Sequence, residues 1–451
     1  MLELIKFNHS SVFCIAILLV ILFKKMDFGF YMFTFTAVLT TISVFDIGNK
    51  SILIFHMAYL IILIKYCFKI SQNKYRFSVS KSLFLFVAWC LITIPFSLFH
   101  THTIVSNIDN VFSYVSFNFQ QFTQFAYLFI GFSVCLICNS LLISDKISME
   151  KVMKAVDISY VFVLCFALMQ LIFPIDFVNT YFRNSVHTAY NFEGTRISGT
   201  FAEPSFLALF STPLFGGYLY RLLTEFKLKY AFFSLLFLAV TLSNQSSSAI
   251  MGAGAAALLI ILLFPYKNKI SLQRMALLFI ACAGISLVII FNLNSISGAI
   301  MSLISKLNGE GVSGQERTSS FIYHFNVFVD NFFIGIGYGT VRSFDLFTTW
   351  GCEVGIIGLL LYFIPTINLF IKLVKIHTSI SIQLAIYIAV YNLILFVSVC
   401  EIMFLNIWIY YGVAYYYVRQ YSRKQIRHEL NNASEISFVS NRQVYIPNLN
   451  H

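Results

Sequence analysis

A cation and an acid share the short stretch Arg196-Ile-Ser-Gly-Thr-Phe-Ala-Glu203-Pro204-Ser205. Arginine offers a fixed fork of donors that matches phosphate, and a carboxylate can serve as a general base. Two simpler readings exist. Glu203 before Pro204 fits a helix start, where proline and a nearby acid are favoured, and Arg196 could anchor at a membrane interface. The stretch therefore predicts either a helix start or a cation and an acid that face one cavity.

A second group combines a cation with glycines. It contains Glu316-Arg317, then His324, then Gly335-Ile-Gly337-Tyr-Gly339. The glycine pattern is a weak phosphate signal, because no strand precedes it and no Gly-Lys-Ser follows. It can equally form a tight turn or allow close backbone approach. Arg317 could simply pair with a neighbouring glutamate on a wet surface, which contributes little.

A third candidate is an acid inside an apolar run, Glu353 in Trp350-Gly-Cys-Glu-Val-Gly-Ile-Ile-Gly358. An acid at or within a membrane span is costly and needs a partner or a watery cavity. The neighbouring glycines give a face for close helix packing. Glu353 is therefore predicted to act in function or to hold an arginine.

The elements that position these residues must suit a bilayer. Of 451 residues, 59% are hydrophobic and only 11% are charged, against roughly 25% charged in soluble domains. This balance excludes an ordinary soluble enzyme and a disordered chain. Lys and Arg number 30 against 19 acids, for a net charge of +11. The cations punctuate apolar runs and form no basic stripe, which argues against a nucleic-acid binder.

Hydropathy predicts an all-α polytopic membrane protein with about 12–14 transmembrane helices. We expect one membrane domain at 1–418 and a short basic tail at 419–451, with no cleavable signal at the N-terminus. The helices near 230–264 could instead form one re-entrant pair. The candidate spans are 4–23, 28–45, 51–69, 82–99, 122–143, 155–174, 203–221, 230–243, 247–264, 275–292, 350–371, 379–399 and 402–418.

Charge alternates along the connections between spans. Basic connections at 65–81, 144–154, 221–229 and 265–274 alternate with neutral or acidic ones. The positive-inside rule places the basic set and the tail in the cytoplasm and the N-terminus outside. Two long segments, 175–202 and 293–349, then form outer loops. The spacing of apolar residues over 318–333 predicts an amphipathic helix in the second loop.

Metal and redox signals are weak. Cys135-Leu-Ile-Cys138 lies within a predicted span and lacks a partner pair, so we interpret it as packing. His100-Thr-His102 has no recognisable third ligand. The sequence contains no zinc-protease motif, phosphate-loop motif or nucleophile elbow. We therefore predict neither a metal nor a cofactor.

The arginine-bearing motifs resemble those of a known family. The stretch 196–206 resembles the signature of bacterial surface-polysaccharide polymerases of the Wzy type, and Arg317 with 331–339 and 353–360 resembles the family's second outer loop and the following span. Two departures stand out. An Arg-x10-Gly pattern of some members occurs only from Arg183 to Gly194. The His-Asn pair typical of the related O-antigen ligases is absent, and Asp345 lies in its place.

The resemblance implies an enzyme of the bacterial inner membrane. Such an enzyme transfers a growing glycan from undecaprenyl diphosphate to a sugar hydroxyl of a lipid-linked repeat unit. Its implied partners are that lipid-linked oligosaccharide, the bilayer, a chain-length regulator and a flippase, and no nucleic acid. Two other functions stay open, an O-antigen ligase that acts on lipid A-core and a lipid-linked oligosaccharide flippase or transporter.

Roles for single residues follow from that reaction. A diphosphate leaving group develops negative charge, so arginines are the expected binding groups. Arg196 and Arg317 lead this set, with Arg183 and Arg342 as further members. The acceptor hydroxyl needs a general base, for which Glu203, Glu353 and His324 are candidates. No metal is required, because the leaving group is already a good one.

Overall fold

The computed structural model describes residues 5–48, 50–70, 77–106, 112–185, 197–244, 246–264 and 312–442. Helices dominate, because a backbone in lipid must satisfy its polar groups within the segment. The first helices are α1 (Ser11–Phe23), α2 (Met26–Thr36), α3 (Ile54–Ile70), α4 (Lys81–Thr93), α5 (Phe119–Ile143), α6 (Met149–Met169) and α7 (Ile175–Tyr181). The later helices are α8 (Pro204–Glu225), α9 (Leu228–Asn244), α10 (Ser247–Leu263), α11 (Val312–Asp330), α12 (Leu346–Ile376), α13 (Ser379–Ser398) and α14 (Leu405–Arg442).

Within the described residues, six helices are long and apolar enough to cross a membrane. They are α4 with its 3-10 extension to Phe99, α5, α6, α8, α12 and α13. Shorter apolar helices occur at α1, α3, α9 and α10. The protein is therefore an all-α, membrane-embedded protein, as its composition predicts. The predicted span 275–292 lies outside the described residues.

The described ends of the basic connections lie at one end of the helices, which we call the basic face, while the connection 265–274 lies outside the described residues. There Lys65 Nζ donates to the carbonyl oxygens of Ile21 at 2.8 Å and Lys24 at 2.6 Å. On the same face, Arg221 Nη1 donates to Gln383 Oε1 at 3.2 Å. The helix ends therefore share one side, as the alternation of charge predicts.

The opposite end, the loop face, carries small antiparallel sheets. One sheet has the order β1 (Ile5–Phe7), β2 (Ser43–Ile47), β3 (Lys50–Leu53), and a second pairs β4 (Ile104–Ser106) with β5 (Phe112–Tyr114). The predicted spans 4–23 and 28–45 are wrong at these strands, because a hydropathy window averages over short apolar strands and helices alike. The span predicted at 155–174 lies earlier, over α6.

Helices α9 and α10 cross the bundle as a pair. Near the basic face, Lys229 Nζ lies 3.7 Å from Asp157 Oδ2. At the loop face, Ser248 Oγ at the start of α10 lies 2.6 Å from Ser398 Oγ at the end of α13. The pair therefore runs from one face towards the other and back, but each helix has 17 residues and is shorter than the six span-length helices. The re-entrant alternative stays a prediction.

Small residues let the central helices approach closely. A Cβ on Gly216 of α8 would lie 2.8 Å from Ala256 Cβ and 2.9 Å from Ile386 Cγ2. Cys138 is buried against α14, where its Sγ donates to the Ile409 carbonyl at 3.8 Å. Such contacts are the usual means of helix association in membranes, and they support the packing interpretation of the Cys-x-x-Cys pair.

Two predicted segments fall on helices α11 and α14. The amphipathic helix predicted over 318–333 is confirmed as α11, which runs from Val312 to Asp330. The tail predicted at 419–451 begins within α14, which continues to Arg442, and its separation from the membrane domain stays a prediction.

Candidate functional site

Helix α12 is broken at Gly355, which has φ +63° and ψ −171°. The break leaves carbonyl groups of the preceding turn without partners inside the helix. Backbone amides of the segment Gly335-Ile-Gly337-Tyr-Gly339 donate to these carbonyl groups. Ile336 N donates to the Cys352 carbonyl at 2.7 Å. A Cβ on Gly335 would lie only 2.5 Å from that same oxygen. The glycine pattern therefore serves close backbone approach, and its amides are used inside the protein.

Glu353 anchors the segment that follows these glycines. Its side chain is buried, and its Oε1 accepts hydrogen bonds from the amides of Gly339 at 2.9 Å and Val341 at 3.2 Å. Arg342 follows Val341 directly along the chain. Glu353 thus fixes the backbone that leads into Arg342, and its roles in function or in holding an arginine stay predictions.

Arg342 forms the central ion pair of the loop face. Its Nη2 lies 2.7 Å from Glu401 Oε2, and the arginine side chain is 51% exposed while the glutamate side chain is only 9% exposed. The Glu401 carboxylate raises the pKa of Arg342 above its usual range. A buried acid therefore holds a charged guanidinium on a side chain that is half-exposed at the loop face.

Glu401 is the residue that the sequence reasoning missed. It lies in the connection Val399-Cys400-Glu401-Ile402 between α13 and α14, where no sequence motif marks it. A single acid in an otherwise apolar connection was the available signal. Its partner is far away in the sequence, so the pairing itself was not visible.

Glu203 begins α8 and lies within electrostatic reach of this pair. Its backbone takes the N-cap position before Pro204, which confirms the predicted helix start. Its side chain makes no capping bond, and Oε2 instead accepts from Ser205 Oγ at 2.9 Å. Burial raises the pKa of Glu401, Arg342 opposes that rise, and the Glu203 charge adds to it. The Glu203 carboxylate is half-buried and remains accessible beside the pair.

Arg183 supports the segment that carries Glu203. The side chain of Arg183 is 8% exposed, and Nη2 donates to the Ala202 carbonyl at 2.9 Å. Burial lowers the pKa of this arginine. Its donors therefore serve the protein backbone directly before Glu203. Arg196, the other arginine of this region, lies outside the described residues.

Arg317 ties α11 to the same corner of the loop face. Its Nη1 donates to the carbonyl of Ser398 at 3.3 Å, where a cation suits the C-terminal end of α13. Its guanidinium carbon lies 5.0 Å from the centre of the Phe344 ring. Ser398 and Phe344 are close in sequence to Glu401 and Arg342, so Arg317 stands beside the ion pair.

His324 lies inside the protein. It is fully buried, and Nδ1 lies 2.7 Å from the Ser320 carbonyl oxygen. A carbonyl can only accept, so Nδ1 carries the proton. Hydroxyl contacts lead onward from Ser320 to Ser343 at 3.3 Å and from Ser343 to Asp345 at 3.4 Å. Asp345 also caps α12 by accepting from Thr348 N at 2.8 Å. This group stabilises the start of α12, behind the ion pair.

The site therefore consists of a charged group and of residues that position it. The charged group is Glu203, Arg342 and Glu401, with Arg317 beside them. Glu353 and Arg183 bind the two backbone segments that carry this group. Within the described residues, no group of three or more His, Cys, Asp or Glu side chains is placed to hold a metal ion.

Comparisons with known proteins give no relative for this chain. No protein-family model matches it, and no curated protein matches it either. The family resemblance therefore depends on the quoted motifs alone.

Proposed function

We propose that the protein polymerises surface-polysaccharide repeat units at the outer face of the bacterial inner membrane, as enzymes of the Wzy type do. The loop face is then periplasmic, and the basic face with the end of α14 is cytoplasmic, in line with the positive-inside rule. The donor is a glycan on undecaprenyl diphosphate, and the acceptor is one repeat unit on the same lipid.

The observation that carries the proposal is the half-exposed Arg342 held by the buried Glu401. A preorganised donor aimed at developing charge is worth about a hundredfold to a thousandfold in rate. Arg342 suits this requirement, because its acid partner holds the guanidinium while about half of the arginine side chain stays exposed, at 51%. Arg317 adds a second fixed cation nearby. A diphosphate is an anion that suits two such cations.

The chemistry divides between these arginines and Glu203. The acceptor hydroxyl oxygen attacks the anomeric carbon of the donor glycan, and its proton passes to the Glu203 carboxylate. The bond from the anomeric carbon to the diphosphate oxygen breaks, and its electron pair leaves with the lipid diphosphate. Arg342 and Arg317 stabilise that developing charge. Glu353 and Arg183 position the reacting groups and do not touch the sugars.

The test uses purified protein and lipid-diphosphate-linked repeat units. We expect the wild type to build a ladder of chains and Arg342→Ala to lose at least about a hundredfold in rate. Arg423→Ala is a matched control, because Arg423 is an exposed arginine in the middle of α14. Equal ladders from Arg342→Ala and wild type would overturn the assignment.

The same assay separates the alternative functions. A ligase would attach glycan only when lipid A-core is supplied as acceptor. A transporter would move the lipid-linked units across a vesicle membrane without forming glycosidic bonds. Either result would replace the polymerase proposal.

A further inference from the structure

A polar cavity lies at the basic face, away from the ion pair. It has a volume of about 270 Å³ and lies between the start of α4, the later part of α12 and the first half of α14. Its polar lining consists of Ser78, Ser80, Asn368, Lys372, Tyr415 and Arg419. The proposed reaction uses none of these residues, so the cavity needs its own explanation.

The charge around this cavity is positive. Lys372 from α12 and Arg419 from α14 line it from two helices, and no described lining residue is acidic. The N-terminus of α4 adds partial positive charge, and its N-cap residue Ser80 makes no side-chain capping bond. Two cations and a helix N-terminus that converge on one cavity favour an anion with several acceptor oxygens.

The floor of the cavity is held rigidly. Ser78 N donates to Asn139 Oδ1 at 2.9 Å, and Asn139 Nδ2 donates to the Gly412 carbonyl at 3.1 Å. Tyr415 is 8% exposed, and its hydroxyl lies beside the Ser80 backbone at the start of α4. The polar floor is thus preformed, and it brings the Tyr415 hydroxyl to the helix start that lines the cavity.

We propose that this cavity binds the phosphate headgroup of an anionic membrane lipid. The cavity lies where the spanning helix α12 reaches the basic face, which is the level of lipid headgroups. Basic pockets between transmembrane helices are typical sites for such headgroups. The lipid would join α4, α12 and α14 at this face. The proposal does not depend on glycosyl transfer at the loop face.

The test measures lipid retention by the purified full-length protein, using native mass spectrometry after titration with phosphatidylglycerol or phosphatidylcholine. The pocket variant is Lys372→Ala/Arg419→Ala. Its matched control is Lys375→Ala/Arg423→Ala, which removes the same two charge types from the same two helices outside the cavity. We expect the pocket variant to lose roughly tenfold to thirtyfold in affinity for phosphatidylglycerol, and the control to retain it.

Three outcomes overturn the proposal. One is equal loss in the pocket variant and the control, which indicates diffuse surface charge. Another is unchanged retention in the pocket variant. The third is displacement of phosphatidylglycerol by inorganic phosphate at a similar concentration, which indicates a soluble phosphate compound as the occupant. Because an alanine variant could unfold, Lys372→Gln/Arg419→Gln is measured in parallel and is expected to show the same loss.

Discussion

Replacement of Glu401 by glutamine tests how the protein holds Arg342. Glutamine keeps the volume of the side chain and an acceptor oxygen, but it removes the charge that faces Nη2 at 2.7 Å. This change weakens the orientation of the Arg342 guanidinium but does not remove the guanidinium. The substitution therefore separates positioning of the arginine from its presence.

The expected magnitudes differ between stability and rate. Removing one partner of a fully buried pair costs about 3–5 kcal/mol, but Arg342 is 51% exposed, so water screens most of that cost. We expect the free energy of unfolding to fall by only about 1 kcal/mol. The rate should fall more, by about tenfold to a hundredfold, because full loss of a preorganised donor costs a hundredfold to a thousandfold.

The assay is steady-state polymerisation with purified Glu401→Gln and wild-type protein, and it reports kcat and KM separately. Loss of an interaction that acts mainly in the transition state lowers kcat while KM stays similar. Removal of a negative charge beside the diphosphate should, if anything, tighten binding of the donor. We therefore expect a lower kcat with an equal or lower KM, and a nearly unchanged unfolding curve in detergent.

Two results would refute this reasoning. A kcat within twofold of wild type would show that Glu401 does not position a rate-determining group. A raised KM with unchanged kcat would show that the pair contributes only to uniform binding of the substrate. Glu225→Gln serves as the control, since Glu225 also pairs with an arginine, Arg221, but at the basic face.

Three further predictions concern Glu353, Gly355 and the proposed general base Glu203. Glu353→Gln keeps the Oε1 acceptor for two backbone amides, so it should retain activity within a few-fold; Glu353→Ala should lower unfolding free energy by about 2–4 kcal/mol. A folded but inactive Glu353→Gln would instead make this residue the base. Gly355→Ala places a side chain on a residue with left-handed backbone and against the Phe333 carbonyl, so it should reduce the yield of folded protein. Gly254→Ala is the control, because its Cβ meets no atom within 4 Å. Gly254→Ala should leave the yield and the thermal unfolding curve unchanged. Glu203→Gln should lower kcat by about 10²- to 10⁴-fold, and normal kcat in this variant would exclude Glu203 as the base.

The sequence was informative where a property averages over many residues. Apolar runs and the alternation of basic connections predicted the membrane fold and the common face of helix ends such as those joined by Lys65. The spacing over 318–333 predicted α11 because amphipathic helices carry a strong period. The sequence also marks Arg317, Glu203 and Glu353 as candidates, since a charge within an apolar chain is conspicuous.

Other features depend on contacts that no local pattern encodes. Glu401 pairs with an arginine 59 positions away, and neither residue marks the other in sequence. The break at Gly355 was invisible because the apolar run continues through it and the compensating donors come from another segment. The strands at 5–7 and 43–47 were read as helix because they are short and apolar. The sequence marks His324 as a base candidate, but His324 is buried by tertiary packing, which no local pattern shows.

The most direct test of the central claim counts bonds and leaving groups together. Purified protein is supplied with a defined lipid-diphosphate-linked repeat unit, and both new glycosidic bonds and free lipid diphosphate are quantified. The proposal predicts one lipid diphosphate released for each bond formed, with both products falling together in Arg342→Ala. Absence of bond formation by active, folded wild-type protein, or bond formation that is indifferent to Arg342, would contradict it.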